Sequence, residues 1–249
     1  MLRKRITNHN MDDADLFSGM DAIILCGGLG TRLRSAISDR PKVLAPFGNE
    51  TFLDILVGSL KNAGFRRFIL CTGYMKDQIA RHFASRHDIS VVFSEEVEPL
   101  GTGGALKNAK PHINSSTFLV LNGDSICNIR YPDFYRFHRE HGSVVSLALV
   151  TKNDTGDYGN VTVDASSRIS SFKEKVPGAS RSLVNAGIYF MEHDIFSFFP
   201  DKTRFSLEND VFPRLVGERC AGFIIDSELI DIGTPDRYQM ALQKIQGGT

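Results

Sequence analysis

The stretch IILCGGLGTRL, Ile23 to Leu33, carries an apolar run into a loop of three glycines and then a Thr-Arg pair. An uncharged run of strand length that stops at glycines reads as a buried strand entering the first strand-to-helix turn of an α/β sheet, where ligands collect beyond the carboxyl ends of the strands. Gly27, Gly28 and Gly30 leave backbone N–H groups unobstructed by Cβ atoms and tolerate positive φ, as a phosphate-cradling turn demands. Two familiar phosphate loops do not fit. A dinucleotide fingerprint starting at Gly28 needs glycine where Leu33 stands, and no Gly-Lys-Ser/Thr follows to make a nucleotide-triphosphatase loop. A lone G-x-G is more often a plain turn. What lifts this one is RPKVLAP, Arg40 to Pro46, because Lys42 then joins Arg32 as a second cation beside the same loop. A planar guanidinium fork and a compact ammonium together suit a triphosphate.

Outward from this strand, short apolar runs alternate with amphipathic segments: AIIL, TFLDILVGSLKNAG, FIL, DQIARHFASR, VVF, GGALKNA and FLVLNGD. The alternation predicts a sheet that is parallel in its first half and covered on both faces. The second half changes character: VVSLALV, GNVTVD, RISSFKEK and LVNAGIYFM are closely spaced strand-like runs, some expected to be antiparallel, and SLENDVFPRLVG and PDRYQMALQKI read as helices. Residues 1–19 are polar and aperiodic and are expected to form a flexible leader, with a single domain over 20–249 split into a nucleotide-binding half, 20–125, and a second half, 126–249. No hexapeptide repeat follows the last helix, so no β-helical domain is expected.

Composition narrows the class. Of 249 residues 42% are hydrophobic, enough for one sizeable core, and Lys+Arg and Asp+Glu both number 29, so no net field draws in nucleic acid or an anionic membrane. Cys26, Cys71, Cys127 and Cys220 lie far apart without a C-x-x-C pair and read as reduced, buried thiols of a cytoplasmic protein rather than zinc ligands. No stretch reaches the roughly 18 apolar residues of a membrane span. His138 and His141 in FHREHG read as surface histidines, and homo-oligomerisation is left open.

Acids at strand ends are the candidates for metal work. In FLVLNGDS the apolar run stops at Asn122-Gly123 and delivers Asp124 to the sheet edge; in LIDIGTPDRY, Asp231 ends another short run before Thr234 and Pro235 open the last helix. Either aspartate alone is more often a turn or cap residue. In SEEVEPLGTGGAL, Glu95, Glu96 and Glu98 precede the turn Gly101-Thr102-Gly103-Gly104. Runs of glutamate are usually exposed surface, but guanine offers N1–H and N2–H₂ donors that a carboxylate accepts, which tilts the reading towards GTP.

LCGGLGTRL with RPKVLAP, then EPLGTGGAL, VLNGD, FKEK, NAGIY and DIGTP, in this order, resembles the sugar-1-phosphate nucleotidylyltransferases, the nucleotide-sugar pyrophosphorylases, over Met20 to Gln246. Within that family the chain is most similar to the short guanylyltransferases acting on D-glycero-α-D-manno-heptose 1-phosphate. The resemblance implies a Rossmann-like three-layer α/β/α fold with a mixed, mostly parallel central sheet, and makes 126–249 the sugar-phosphate half. It also implies attack of a sugar 1-phosphate on the α-phosphorus of an NTP, with release of pyrophosphate. Arg32 and Lys42 would be catalytic, and Asp124 and Asp231 would hold Mg²⁺. Leu25, Gly27, Gly28, Gly30, Thr31, Glu95, Glu98, Gly101 and Thr102 would contact the nucleotide. Gly123, Gly159, Glu174, Lys175, Asn185 and Gly187 would line the sugar-phosphate site. One departure stands out: Ile232 follows the late aspartate, where many relatives carry a polar residue.

Three other readings stay open at this point. A uridylyl- or cytidylyltransferase acting on an amino-sugar 1-phosphate or phosphocholine would share the loop and the aspartates. A non-catalytic nucleotide-sugar-binding subunit would keep the fold but lose the clamp or the acids, all of which are present. A glycosyltransferase needs an Asp-x-Asp site, and the literal match, Asp13-Ala14-Asp15, precedes the first strand.

Overall fold

The computed structural model describes residues 15–153, 160–173 and 182–246. Among these residues one sheet has nine strands: β1 Asp21–Leu25, β2 Arg67–Thr72, β3 Ser90–Glu95, β4 Thr117–Asn122, β5 Val145–Lys152, β6 Asn160–Val163, β7 Ile169–Lys173, β8 Ser182–Glu192 and β9 Cys220–Ile225. The path β7-β6-β8-β4-β1-β2-β3 sets the loop after β1 near the middle of the sheet, and β5 and β9 branch off through β8. β4, β1, β2 and β3 are mutually parallel, while β8 runs antiparallel to β4, β5 and β6. Because β8 hydrogen-bonds directly to β4, one sheet runs through both halves of the chain.

Alternation along the strands divides the core. Ala22 and Ile24 of β1 join one buried cluster and Ile23 and Leu25 the other, as side chains of period two must when both faces are covered. Helices α1 Phe52–Asn62, α2 Lys76–Phe83 and α4 Tyr131–His141 feed the first cluster through residues such as Leu53, Leu56, Ile79 and Phe134; α3 Gly101–Ala109 feeds the second through Ala105, Leu106 and Ala109. In α1 the buried positions Leu53, Leu56, Val57 and Leu60 follow helical spacing, and a Thr51–Asp54 capping box starts the helix. A third, smaller cluster holds Leu33, Phe47, Phe52 and Ile232 against Tyr238 and Ala241 of α5 Pro235–Gln246.

Three expectations need correction. The leader does not extend to residue 19: Phe17 is wholly buried and stacks on Phe65, with ring centroids 4.6 Å apart, because its ring covers the open end of the first core cluster. SLENDVFPRLVG does not form an α-helix but one π turn, Leu207–Val211, followed by a 3₁₀ turn, Phe212–Leu215, with Pro213 breaking the i to i−4 pattern. His138 is not at the surface. It is buried, with Nδ1 2.8 Å from Ser146 Oγ and Nε2 3.3 Å from Glu192 Oε1, so its polar atoms are satisfied inside the fold. The four cysteines are all buried free thiols, and among the described residues no helix is long and apolar enough to cross a membrane.

Candidate active site

The loop after β1 opens onto a cleft of about 450 Å³, a size that suits a small-molecule substrate. Leu25, Gly27, Gly28, Gly30 and Thr31 line it, with Arg32 and Lys42. Gly30 sits at φ 59°, the left-handed region, and caps a single 3₁₀ turn, Thr31–Leu33. Leu33 is buried in the third cluster, and this anchor holds Thr31 and Arg32 out towards the cleft. Lys42 opens the next turn behind Pro41, whose extended ψ of 144° ends the preceding loop, and Val43 and Leu44 fix that turn in the core.

On the opposite wall β4 stops at Asn122, and Asp124 follows at the carboxyl edge. Lys42 Nζ donates to Asp124 Oδ2 at 2.6 Å, with the lysine side chain 12% exposed and the aspartate 43%. A two-residue antiparallel ladder pairs Ser125 with Asp231 and Ile126 with Ile230, and the Ile232 N–H donates to the Asp124 carbonyl at 3.0 Å. The late aspartate is thereby brought beside the early one from more than a hundred positions away. Asp231 Oδ1 accepts the Gly233 N–H at 3.0 Å and Arg237 Nη1 at 3.3 Å. The residue after it, Ile232, is fully buried in the third cluster, so its apolar character anchors the ladder.

Asp124 sits in the turn after β4 and lines the cleft, while Asp231 lies on the short strand next to it, outside the cleft lining; a hard divalent cation takes one or two protein carboxylates and keeps several waters, which suits this donor set. Among the described residues no cluster of three or more His, Cys, Asp or Glu offers a closed metal cage.

The family profile described as Nucleotidyl transferase matches residues 21–247. The chain belongs to the nucleotidyl transferase family. The D-glycero-alpha-D-manno-heptose 1-phosphate guanylyltransferase of Campylobacter jejuni is 39% identical over 223 residues, 88% of this chain and 97% of its own. The enzyme of the same name from Aneurinibacillus thermoaerophilus is 37% identical over 229 residues, 91% of this chain and 99% of its own. The crystal structure of HddC from Yersinia pseudotuberculosis complexed with GMP-PN matches with a TM-score of 0.80 at 34% identity, covering 91% of this chain and 99% of that one.

In this transferase the acids ahead of α3 divide by alternation. Glu95 turns outward to Lys76 at 2.6 Å, and Glu98 is exposed away from the cleft. Glu96 is the acid in the cleft wall: it is buried, and its Oε2 accepts the Leu100 N–H at 3.0 Å. Its carboxylate lies under Gly27, where a Cβ would fall 2.5 Å from Oε1. Burial holds the Glu96 carboxyl above the usual carboxylate range. Of the three acids, Glu96 lines the cleft and Glu95 and Glu98 do not.

Gly101 and Thr102 line the cleft as expected, but the Thr102 hydroxyl is already engaged, donating to Glu208 Oε2 at 2.6 Å and accepting the Leu207 N–H at 2.9 Å. Gly123 is a packing glycine: it is buried, and a Cβ there would lie 2.8 Å from the Leu25 carbonyl. Asn185 and Gly187 sit where the pairing of β8 with β5 shifts register. Gly187 has φ 75° and donates its N–H to Asn185 Oδ1 at 2.8 Å. A Cβ on Gly187 would lie 2.6 Å from Nδ2 of the cleft-lining Asn122, whose buried Oδ1 has no hydrogen-bond partner. Gly159, Glu174 and Lys175 lie outside the described residues. Asn122, named in the sequence only as the end of a run, and Arg204, which no sequence pattern singled out, also line the cleft, Arg204 from the segment before the π turn.

Proposed function

We propose that the protein transfers the guanylyl group of GTP to D-glycero-α-D-manno-heptose 1-phosphate, forming the GDP-sugar and releasing pyrophosphate. One observation carries this: Arg32, the Lys42–Asp124 pair and the buried Glu96 converge on a single cleft, in a chain 37–39% identical to heptose 1-phosphate guanylyltransferases along almost their whole length. A sugar-phosphate oxygen forms the new bond to the α-phosphorus, and the bond from that phosphorus to the bridging oxygen of the leaving pyrophosphate breaks. No general base is required, since the second pKa of a phosphate monoester is about 6 and the nucleophile is already ionised at neutral pH. Catalysis is then positioning and charge stabilisation.

Arg32 and Lys42 hold the triphosphate and stabilise the charge that grows on the departing pyrophosphate. Asp124 and Asp231 would hold Mg²⁺, which supplies charge neutralisation at the phosphates when bound. Glu96 accepts the N1–H and N2–H of guanine, a donor pair that no other common base presents along that edge. By the family resemblance, Asn185, Gly187, Gly159, Glu174 and Lys175 would contact the sugar phosphate. GTP as the donor and four buried free thiols fit the cytoplasm.

The test is a pyrophosphate-release assay crossing four nucleoside triphosphates with heptose, mannose, glucose and N-acetyl-hexosamine 1-phosphates. The expected result is turnover confined to GTP and greatest with the heptose. Turnover with mannose 1-phosphate alone would reassign the acceptor, and a flat panel with retained nucleotide binding would favour a regulatory subunit.

A further inference from the structure

Glu208 stands outside the motifs that define the site, yet its carboxylate links cleft-lining Thr102 to Tyr189 of β8 behind the cleft. Oε2 accepts the Thr102 hydroxyl at 2.6 Å and the Ser206 hydroxyl at 2.7 Å, while Oε1 accepts the Tyr189 hydroxyl at 3.2 Å. The Tyr189 oxygen in turn accepts Asn185 Nδ2 at 2.7 Å, and Asn185 Oδ1 accepts the Gly187 N–H at 2.8 Å. A continuous chain of side-chain hydrogen bonds therefore runs from the first turn of α3, on the cleft, to the bulge in β8. Tyr189 is fully buried, so its link to Glu208 lies in surroundings where such bonds are strong and costly to leave unmade.

The local backbone is built to present this acid. Ser206 caps the turn, its hydroxyl accepting the N–H groups of Glu208 and Asn209. The turn itself is π-helical, a form that recurs at functional sites because it re-aims one side chain within a helical segment. The segment before it is strapped to α3: the Phe205 carbonyl accepts the Gly103 and Gly104 N–H groups at 3.0 and 3.2 Å, and the Phe205 N–H donates to the Leu100 carbonyl at 3.0 Å.

We infer that Glu208 is a positioning residue that fixes the distance between the nucleotide wall at Thr102 and the sugar-phosphate wall at Asn185–Gly187. This rests on the function proposed above. In a reaction between two bound phosphates, small errors in their mutual placement are paid in kcat, and a displacement near 1 Å can cost about a hundredfold.

The test compares Glu208→Gln, Tyr189→Phe, their double variant and Asp210→Asn. The last lies on the same turn but pairs with Lys202 and Ser206, off the chain. Glu208→Gln and Tyr189→Phe are each expected to lower kcat by roughly tenfold or more and raise the KM for the sugar 1-phosphate, with the KM for GTP within about twofold. The double variant should be no worse than the poorer single, since both cut one chain. Asp210→Asn should lower the thermal midpoint and keep the kinetic constants. Wild-type constants in Glu208→Gln, losses that multiply in the double, or losses that merely track thermal midpoints would overturn the assignment. Amide exchange of the 183–190 segment gives a reading independent of turnover: faster exchange at Gly187 in Glu208→Gln and Tyr189→Phe, but not in Asp210→Asn, is expected, and unchanged exchange refutes the link. A wild type inactive on every substrate pair would remove the proposed function while the exchange result still decides whether the chain couples the walls.

Discussion

Lys42 and Asp124 are 82 positions apart in sequence and 2.6 Å apart in space, and the asymmetry of the pair determines what each can do. The ammonium is sheltered and the carboxylate is the wetter partner, so the acid is the half open to an entering cation. Asp124→Asn, which keeps the shape and a lysine acceptor, is expected to abolish divalent-metal-dependent turnover while shifting stability by about 0.5 kcal/mol or less, the usual scale for a surface-facing change; full turnover would remove the metal role. Arg32 is exposed on the same cleft. Since the charge it stabilises grows during transfer, Arg32→Ala is expected to lower kcat by about 10²–10³ and to raise the KM for GTP far less; an effect confined to KM would contradict that role. Glu96 carries a pH prediction. Burial raises its pKa, so its acceptor form fills in only above the ordinary carboxylate value. The ratio of kcat/KM for GTP over ATP should fall as pH is lowered through the raised pKa, and Glu96→Gln should flatten that profile; an unchanged slope in the variant assigns the titration to another group. The place of Asp124 at the sheet edge was legible because an apolar run ended just before it. The choice among Glu95, Glu96 and Glu98 was legible too, had the period been carried past the strand: Ser94 and Glu96 share the buried face, and Glu95 takes the other.

At the scale of elements, the glycines at the start of α3 make room for a distant segment of the chain. Gly101-Thr102-Gly103-Gly104 reads as a turn leading into a helix, and in the fold the Gly103 and Gly104 N–H groups are given to the Phe205 carbonyl. What the small residues provide is room: a Cβ on Gly101 would lie 2.6 Å from the Phe205 carbonyl oxygen, and one on Gly103 2.4 Å from the Phe205 ring. None of this could be read locally, since the strap comes from a hundred residues downstream, and its own pattern resembles an ordinary helix until Pro213 and the Ser206 cap divide it. Gly101 combines that backbone contact with φ 74°, so Gly101→Ala is expected to cost about 1–3 kcal/mol in urea unfolding. If the strap sets the cleft wall, the same variant also raises the KM for GTP. A variant of wild-type stability would mean that the strap yields without strain.

Across the whole molecule, the two halves of the chain are one mechanical unit, because β8 of the second half pairs with β4 of the first and the Ser125–Asp231 ladder closes over the same edge. Away from the cleft, that junction is held by a polar cluster in which Glu192 Oε1 accepts the Thr117 hydroxyl at 2.9 Å and lies 3.3 Å from His138 Nε2, uniting β4, β8 and α4. The histidine at its centre looked like surface because its neighbours in FHREHG are charged; only the tertiary pairing with Ser146 and Glu192 makes burial affordable. Burial alone would raise the Glu192 pKa, but the hydrogen bonds from His138 and Thr117 outweigh it and hold the carboxyl below its ordinary value. The sign follows from linkage: a carboxyl with a depressed folded pKa contributes stability above its unfolded pKa of about 4.3, and loses it as pH falls through the folded value. Glu192→Gln is therefore expected to lower unfolding free energy at pH 7 by about 1–3 kcal/mol, the range for hydrogen bonds to a charged group. Urea titrations of both proteins from pH 7 down to about 3 should show that gap closing as the wild-type carboxylate is protonated. A gap that stayed constant with pH would mean that shape and packing at the junction, rather than the ionised acid, hold the halves together.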